Sequence, residues 1–121
     1  GQLSIALGNR APASCVALGG DGISGALLEA QCLAGPDQDA LVVIYEAPLP
    51  EQYQCYQQSD DFPWALALRL GATGTGYHLS RRAGSGGPAN QGPALARFLA
   101  NGEHQLTLKG SRSDWHWTRH A

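Results

Sequence analysis

Residues 40–47 have the sequence ALVVIYEA, and this stretch carries more information about the fold than any other part of the chain. The uninterrupted apolar run at residues 41–45 is typical of a β-strand that is buried on both faces. We therefore expect a strand over residues 40–47 at the centre of the core. Pro48 and Pro50 follow it and cannot continue a central strand.

Alternating apolar and polar residues predict further strands on both sides of this one. The predicted strands are residues 2–7, 13–18, 52–58, 64–70, 77–81, 105–108 and 115–120. Three hairpins are expected: around the turn at residues 19–22, between 64–70 and 77–81, and between 105–108 and 115–120. The segment 23–34 fits either a strand or a helix that ends at Gly35-Pro36, and we prefer the strand.

One helix is predicted near residues 93–101, because Pro93 suits a first helical turn and Gly102 a helix end. The expected fold is therefore mainly β: a small antiparallel β-sandwich or partly closed barrel with one short helix. A length of 121 residues predicts a single domain over residues 1–121. Both tryptophans of the last strand, Trp115 and Trp117, lie on one side of it, and at least one is expected in the core.

Net charge argues against nucleic acid as a partner, and the lack of a long apolar stretch argues against a membrane span. The net charge of −2 gives no general attraction to nucleic acid, and no apolar stretch approaches the roughly 18–20 residues of a membrane span. The charge is unevenly distributed: residues 1–61 hold one arginine against eight acidic residues, −7, and residues 62–121 hold seven basic against two acidic residues, +5. The halves either neutralise each other across the fold or leave an acidic surface that attracts a basic partner.

Three cysteines, Cys15, Cys32 and Cys55, allow at most one intramolecular disulfide, and the sequence leaves open which two would pair. All three fall in segments with strand-like composition, where bridges between strands are geometrically easy. The chain contains no methionine, which fits a mature chain whose leader has been removed. We therefore expect a periplasmic or secreted bacterial protein; three buried thiols in a cytosolic protein are the alternative.

No residue pattern identifies a reaction. His116 and His120 would be too far apart on a strand to share a metal ion, so no metal or other cofactor is expected. The carboxylate pairs Asp37/Asp39 and Asp60/Asp61 fit turns rather than a glycosidase cleft. The chain is accordingly expected not to be an enzyme.

A small exported binding protein is the function that these observations favour. We expect an inhibitor or immunity-type protein that blocks a secreted bacterial hydrolase or toxin by protein–protein contact. The glycine-rich loop at residues 83–92 is one candidate contact surface. The other consists of four acidic residues and two tyrosines: Asp37, Asp39, Tyr53, Tyr56, Asp60 and Asp61.

The alternative is a carbohydrate-binding module. Residues 23–32, ISGALLEAQC, lie downstream of Cys15 and resemble the first strand pair of cyanovirin-type lectins, and residues 95–108 are loosely similar to a helical turn and strand of that family. The resemblance covers about a quarter of the chain, and a second cysteine pair is missing, since only Cys55 remains. It implies a mannose-binding β-protein with Cys15 and Cys32 bridged.

Overall fold

Three α-helices and five strands are distributed over the described part of the chain in the computed structural model, which describes residues 2–17, 22–56, 62–71, 73–74, 76–86, 91–110 and 112–120. The helices are α1 (Gln2–Ala6), α2 (Gly22–Ala34) and α3 (Gln91–Asn101), with a 3₁₀ helix at Glu51–Tyr56. The strands are β1 (Ala40–Glu46), β2 (Trp64–Leu70), β3 (Tyr77–Ala83), β4 (Gln105–Leu108) and β5 (Ser113–Arg119). None of the described helices has the length and apolar character needed to cross a membrane.

The strands form two antiparallel sheets, one of β1 and β2 and one in the order β3-β5-β4. The terminal hairpin is confirmed, since β4 pairs with β5, but the hairpin between residues 64–70 and 77–81 is wrong. β2 pairs with β1 instead, and β3 pairs with β5, where Leu79 lies opposite the buried Trp117. Strand pairing follows such cross-strand packing, which short connections in the sequence do not reveal.

The expected β-sandwich or partly closed barrel is wrong, because α2 and α3 supply much of the core. α2 packs against β1, and α3 packs against β4 and β2. Among the described residues the core consists of eight buried side chains, from α2, α3 and both sheets: Ile23, Leu27, Val42, Leu95, Phe98, Leu108, Trp115 and Trp117. The expectation that at least one tryptophan of the last strand is buried is confirmed.

Segment 23–34 forms helix α2 and not the preferred strand. Ile23 and Leu27, four residues apart, are buried together, which is the spacing of one helix face. Gly35 ends the helix with φ +75°, and its N–H donates to the carbonyl oxygen of Gln31 at 3.0 Å. Residues 26–31, ALLEAQ, are good helix formers, so propensity and burial together favour the helical alternative.

Three other predicted strands are also wrong. Residues 2–7 contain α1, residues 13–17 have no regular secondary structure, and residues 52–56 lie in the 3₁₀ helix. Short apolar runs do not distinguish strand from helix without knowledge of what covers them. The predicted turn at residues 19–22 and the end of the strand at 52–58 lie largely outside the described residues.

Helix α3 confirms the predicted helix and begins two residues earlier, at Gln91. It ends at Asn101, and the φ of +64° at the following Gly102 lets the Glu103 N–H donate to the Phe98 carbonyl oxygen at 3.3 Å. The Arg119 guanidinium also donates to the carbonyl oxygen of Gly102, at 2.9 Å. The end of α3 is therefore attached to the last strand.

Candidate functional site

The outer face of β1, formed by Leu41, Val43 and Tyr45, is an exposed apolar surface. These side chains are 72%, 59% and 71% exposed, whereas Val42 between them is buried, in the strand against which α2 packs. The strand predicted at residues 40–47 is therefore confirmed, but its burial on both faces is not observed: only one face is covered by the described chain. Large apolar side chains that share one exposed face are characteristic of an interaction site.

Strand β2 borders this face with small side chains. In the antiparallel register Ala67 lies opposite Val43 and Ala65 lies opposite Tyr45. At the far end Arg69, opposite Leu41, forms an ion pair with Asp39. The outer face of β1 is therefore bordered by the small side chains of Ala65 and Ala67 on β2 and by the ion pair of Asp39 and Arg69 at one end.

Aromatic residues lie in the connection between β1 and β2. Tyr53 and Tyr56 belong to the 3₁₀ helix, and both are exposed, as is Phe62 just before β2. Tyrosine is enriched at protein interfaces because it combines a large apolar ring with a hydrogen-bonding group. Tyr53 and Tyr56, which the sequence predicts as contact residues, are therefore accessible to a partner.

Two of the four acidic candidates, Asp37 and Asp39, lie among the described residues. Asp37 is exposed, whereas Asp39 is bound to Arg69 through hydrogen bonds from Nε and Nη2. Asp60 and Asp61 lie outside the described residues, as do residues 87–90 of the glycine-rich loop. A binding role for Asp37, Asp39, Tyr53, Tyr56, Asp60 and Asp61 stays a prediction.

The cysteines and histidines of the described chain are not combined into a catalytic pair. Cys15, Cys32 and Cys55 are free and exposed, so no bridge joins Cys15 to Cys32. His116 Nδ1 lies 3.0 Å from Thr107 Oγ1, and the rings of His78 and His120 meet edge to face at 6.3 Å. No group of three or more metal-ligating side chains occurs among the described residues.

A cavity of about 260 Å³ lies between the end of α2 and the end of β2. Gln31 and Gln38 supply its polar side chains, and Leu70 supplies part of its apolar wall. No cysteine, histidine or carboxylate lines it. The cavity therefore has no group that could act as nucleophile, acid or base.

Comparison with known proteins relates this structure to biosynthetic enzymes. Residues 1–118 match the family model described as "Beta-ketoacyl synthase, N-terminal domain". A chain from the solved complex of the ketosynthase ApeO with its chain length factor ApeC, from Xenorhabdus doucetiae, has a similar fold, with a TM-score of 0.78 and 24% identity. The alignment covers 98% of this chain and 51% of that one, so the present chain spans about half its length. A search of curated proteins gives no match.

These matches overturn several predictions. The fold is the thiolase-like α/β fold of ketosynthases, neither a β-sandwich nor a lectin of the cyanovirin type. The inhibitor or immunity function, the hydrolase or toxin partner and the carbohydrate-binding alternative are wrong, because the family is biosynthetic. The prediction that the chain is not an enzyme is contradicted by a family of enzymes, and the periplasmic or secreted location by a family that is typically cytoplasmic. The single domain over residues 1–121 stays a prediction.

Proposed function

The chain belongs to the family of β-ketoacyl synthase N-terminal domains, and on that premise we propose that it is part of a biosynthetic protein that joins acyl groups into β-ketoacyl products. We further propose that it acts in a complex, in which a second chain of the ketosynthase type covers the outer face of β1. The solved neighbour, a ketosynthase in complex with its chain length factor, supports an arrangement of two chains.

The observation that carries this proposal is the mismatch between the sequence of β1 and its surroundings. The run Leu41–Tyr45 is apolar on both faces, as in strands that are covered on both sides, yet the outer side chains are exposed. Burying a side chain such as Leu41 or Val43 contributes about 1.5–3 kcal/mol. A partner that covered this face would therefore gain a substantial hydrophobic contribution to its binding free energy.

The neighbouring residues fit a protein partner. Ala65 and Ala67 are small enough to let a partner's side chains reach Val43, and Tyr45 supplies an aromatic ring at one end. Arg69 and Asp39 form a polar rim at the other end. An apolar centre with tyrosine and arginine at its border is the usual composition of a protein interface.

A role in assembly also agrees with the distribution of the reactive side chains. An acyl transfer through a covalent intermediate needs a nucleophile beside a base, and none of the described thiols is hydrogen-bonded to a histidine. The three cysteines lie in a loop, in α2 and in the 3₁₀ helix. We infer that the nucleophile of the condensation comes from outside the described residues.

The first test compares two valine variants in the intact protein. Val43→Asp places a carboxylate on the outer face of β1, and Val16→Asp makes the same change at an exposed position without regular secondary structure. We expect Val43→Asp to weaken binding to a β-ketoacyl synthase of the same source by tenfold or more, roughly 1.4 kcal/mol, and Val16→Asp to leave it unchanged. Isothermal titration calorimetry measures both. Equal binding by the two variants, or unfolding of Val43→Asp without any partner present, would contradict a second chain on this face.

A second test concerns the source of the nucleophile. Cys15→Ala, Cys32→Ala and Cys55→Ala variants are assayed with the partner for formation of a β-ketoacyl thioester by mass spectrometry. All three should retain activity if the chain contributes to assembly. Complete loss in one variant would assign the nucleophile to this chain, and absence of product in every preparation would contradict the biosynthetic role itself.

A further inference from the structure

We propose that His78 and His120 form a binding site for a divalent transition-metal ion such as Zn²⁺. His78 belongs to β3, and His120 directly follows β5. Both side chains are exposed, and their rings meet edge to face with centroids 6.3 Å apart. The proposal is independent of the one above, since these residues belong to the three-stranded sheet and not to the sheet of β1 and β2.

The pairing of β3 with β5 brings the two histidines to one face of the sheet. His78 lies opposite Thr118, and His120 is two residues further along the chain. Because alternate residues of a strand share a face, Thr118 and His120 both lie on the side away from the buried Trp117. Residues that are directly paired across two strands also share a face, so His78 lies on that side too. A metal ion can therefore approach both imidazoles from solvent.

The ring of His120 is turned toward the strand that carries His78. The His120 N–H donates to the carbonyl oxygen of Gly76 at 2.9 Å, so these two residues face each other just before β3 and just after β5. A Cβ atom built at Gly76 would lie 3.3 Å from Cδ2 of His120. The imidazole therefore covers the backbone of a residue without a side chain, which directs it over the start of β3.

His116 lies on the same face but is turned the other way. Its Nδ1 lies 3.0 Å from Oγ1 of Thr107, on β4. It is four residues from His120, about 13 Å along an extended strand, whereas metal–nitrogen bonds are about 2.0–2.1 Å long. These two histidines of one segment are therefore too far apart to share an ion. The geometry selects a pair from two different strands instead.

The separation of the His78 and His120 rings suits a shared ion. With a bond of about 2.0–2.1 Å to each ring, two imidazoles around one tetrahedral ion have centroids roughly 5–6 Å apart. The observed 6.3 Å requires only a small rotation of two exposed side chains. Within the described part of the chain no third metal-ligating side chain joins the pair, so water completes the coordination. Imidazole ligands favour Zn²⁺ over Mg²⁺, which prefers oxygen.

The arginines closest in sequence to the pair do not oppose a bound cation. Arg82 shares the face of His78 but is four residues further along β3, about 13 Å away, where salt screens most of the repulsion. Arg119 directly precedes His120, but its side chain lies on the other face of the sheet, where the guanidinium donates to the carbonyl oxygen of Gly102 at 2.9 Å. A metal ion at the histidine pair therefore meets little unfavourable charge from these residues.

The test titrates ZnCl₂ into the untagged protein by isothermal titration calorimetry. The cysteines are first alkylated with iodoacetamide, because Cys15, Cys32 and Cys55 are exposed and thiolates compete for the ion. His78→Gln and His120→Gln each remove one proposed ligand. His116→Gln is the matched control, since it removes an imidazole from the same face. MgCl₂ is the second probe, and thermal unfolding verifies that every variant is folded.

We expect the original protein to bind one Zn²⁺ ion per chain and to show no binding of Mg²⁺. His78→Gln and His120→Gln should each weaken the binding of Zn²⁺ by about tenfold or more, and His116→Gln should leave it within about twofold. Equal losses in all three variants, or no saturable binding by the original protein, would overturn the site. A measurement on the original protein does not depend on the folding of any variant: Zn²⁺ should shift the NMR signals of the His78 and His120 imidazoles, and unshifted signals would overturn the proposal.

Discussion

The six-membered ring of Trp64 occupies the space that a Cβ atom of Gly92 would fill. A Cβ built at Gly92 would lie 2.5 Å from Cζ2 and from Cζ3 of the indole, far inside van der Waals contact. Trp64 begins β2 and Gly92 is the second residue of α3, so this contact sets how closely the helix approaches the sheet. The indole is rigid and half-buried, so it cannot move aside without repacking its neighbours.

Gly92→Ala should therefore destabilise the protein by about 1–3 kcal/mol, as measured by urea unfolding. Gly22→Ala is the matched control, because Gly22 is also helical and its added methyl group would meet no atom of the described residues within 4 Å. The control should be neutral or more stable by up to about 1 kcal/mol. In a Trp64→Val background most of the penalty of Gly92→Ala should disappear, and an undiminished penalty would show that the indole is not its cause.

The two phenylalanines should differ widely in their contribution to stability. Phe98 is 1% exposed and contacts Tyr77 and Trp117 edge to face, with ring centroids 5.7 Å and 6.4 Å away, whereas Phe62 is 49% exposed. We expect Phe98→Ala to lower the free energy of unfolding by about 3–5 kcal/mol and Phe62→Ala to lower it by less than about 1 kcal/mol. Denaturant unfolding of both variants measures the difference. Similar losses in the free energy of unfolding would contradict a central place for Phe98 in the core.

Asp114 should make folding sensitive to acid. Hydrogen bonds from the Ser85 and Gly110 backbone N–H groups stabilise its charged form and lower its pKa below the ordinary value of 3.8. A lowered pKa in the folded state adds stability that is present above pH 3.8 and is lost as the pH falls through the folded-state pKa. Between pH 6 and pH 2 the melting temperature of the original protein should fall more steeply than that of Asp114→Asn. If the melting temperatures of the two proteins fell in parallel with pH, the hydrogen bonds from Ser85 and Gly110 to Asp114 would not contribute to stability.

The ion pair between Asp39 and Arg69 should contribute little to stability. Both side chains are exposed to solvent, where ion pairs typically contribute about 0–1 kcal/mol. We expect Asp39→Asn, Arg69→Gln and the double variant to unfold within about 1 kcal/mol of the original protein. A coupling energy well above this value in the double-mutant cycle would indicate that the pair is shielded from water in the intact protein.

Local signals in the sequence were sufficient for several elements. The apolar run of β1, the Pro93 and Gly102 signals of α3 and the alternation of β4 and β5 each predict the element that forms. In these cases propensity, end signals and apolar periodicity all favour the same element, so tertiary contacts did not need to select between alternatives. The prediction that at least one of the two C-terminal tryptophans lies in the core rests on the same agreement, and both are buried.

Only the tertiary structure decided the rest. Residues 23–34 satisfy the strand and the helix patterns alike, and the burial of Ile23 with Leu27 against β1 selects the helix. The pairing of β2 with β1, the approach of Trp64 to Gly92, and the ion pair of Asp39 with Arg69 depend on residues that are distant in sequence. The exposure of Leu41, Val43 and Tyr45 likewise depends on which distant segments pack against β1. A sequence determines which faces are apolar, whereas what covers each face depends on contacts between distant segments or chains.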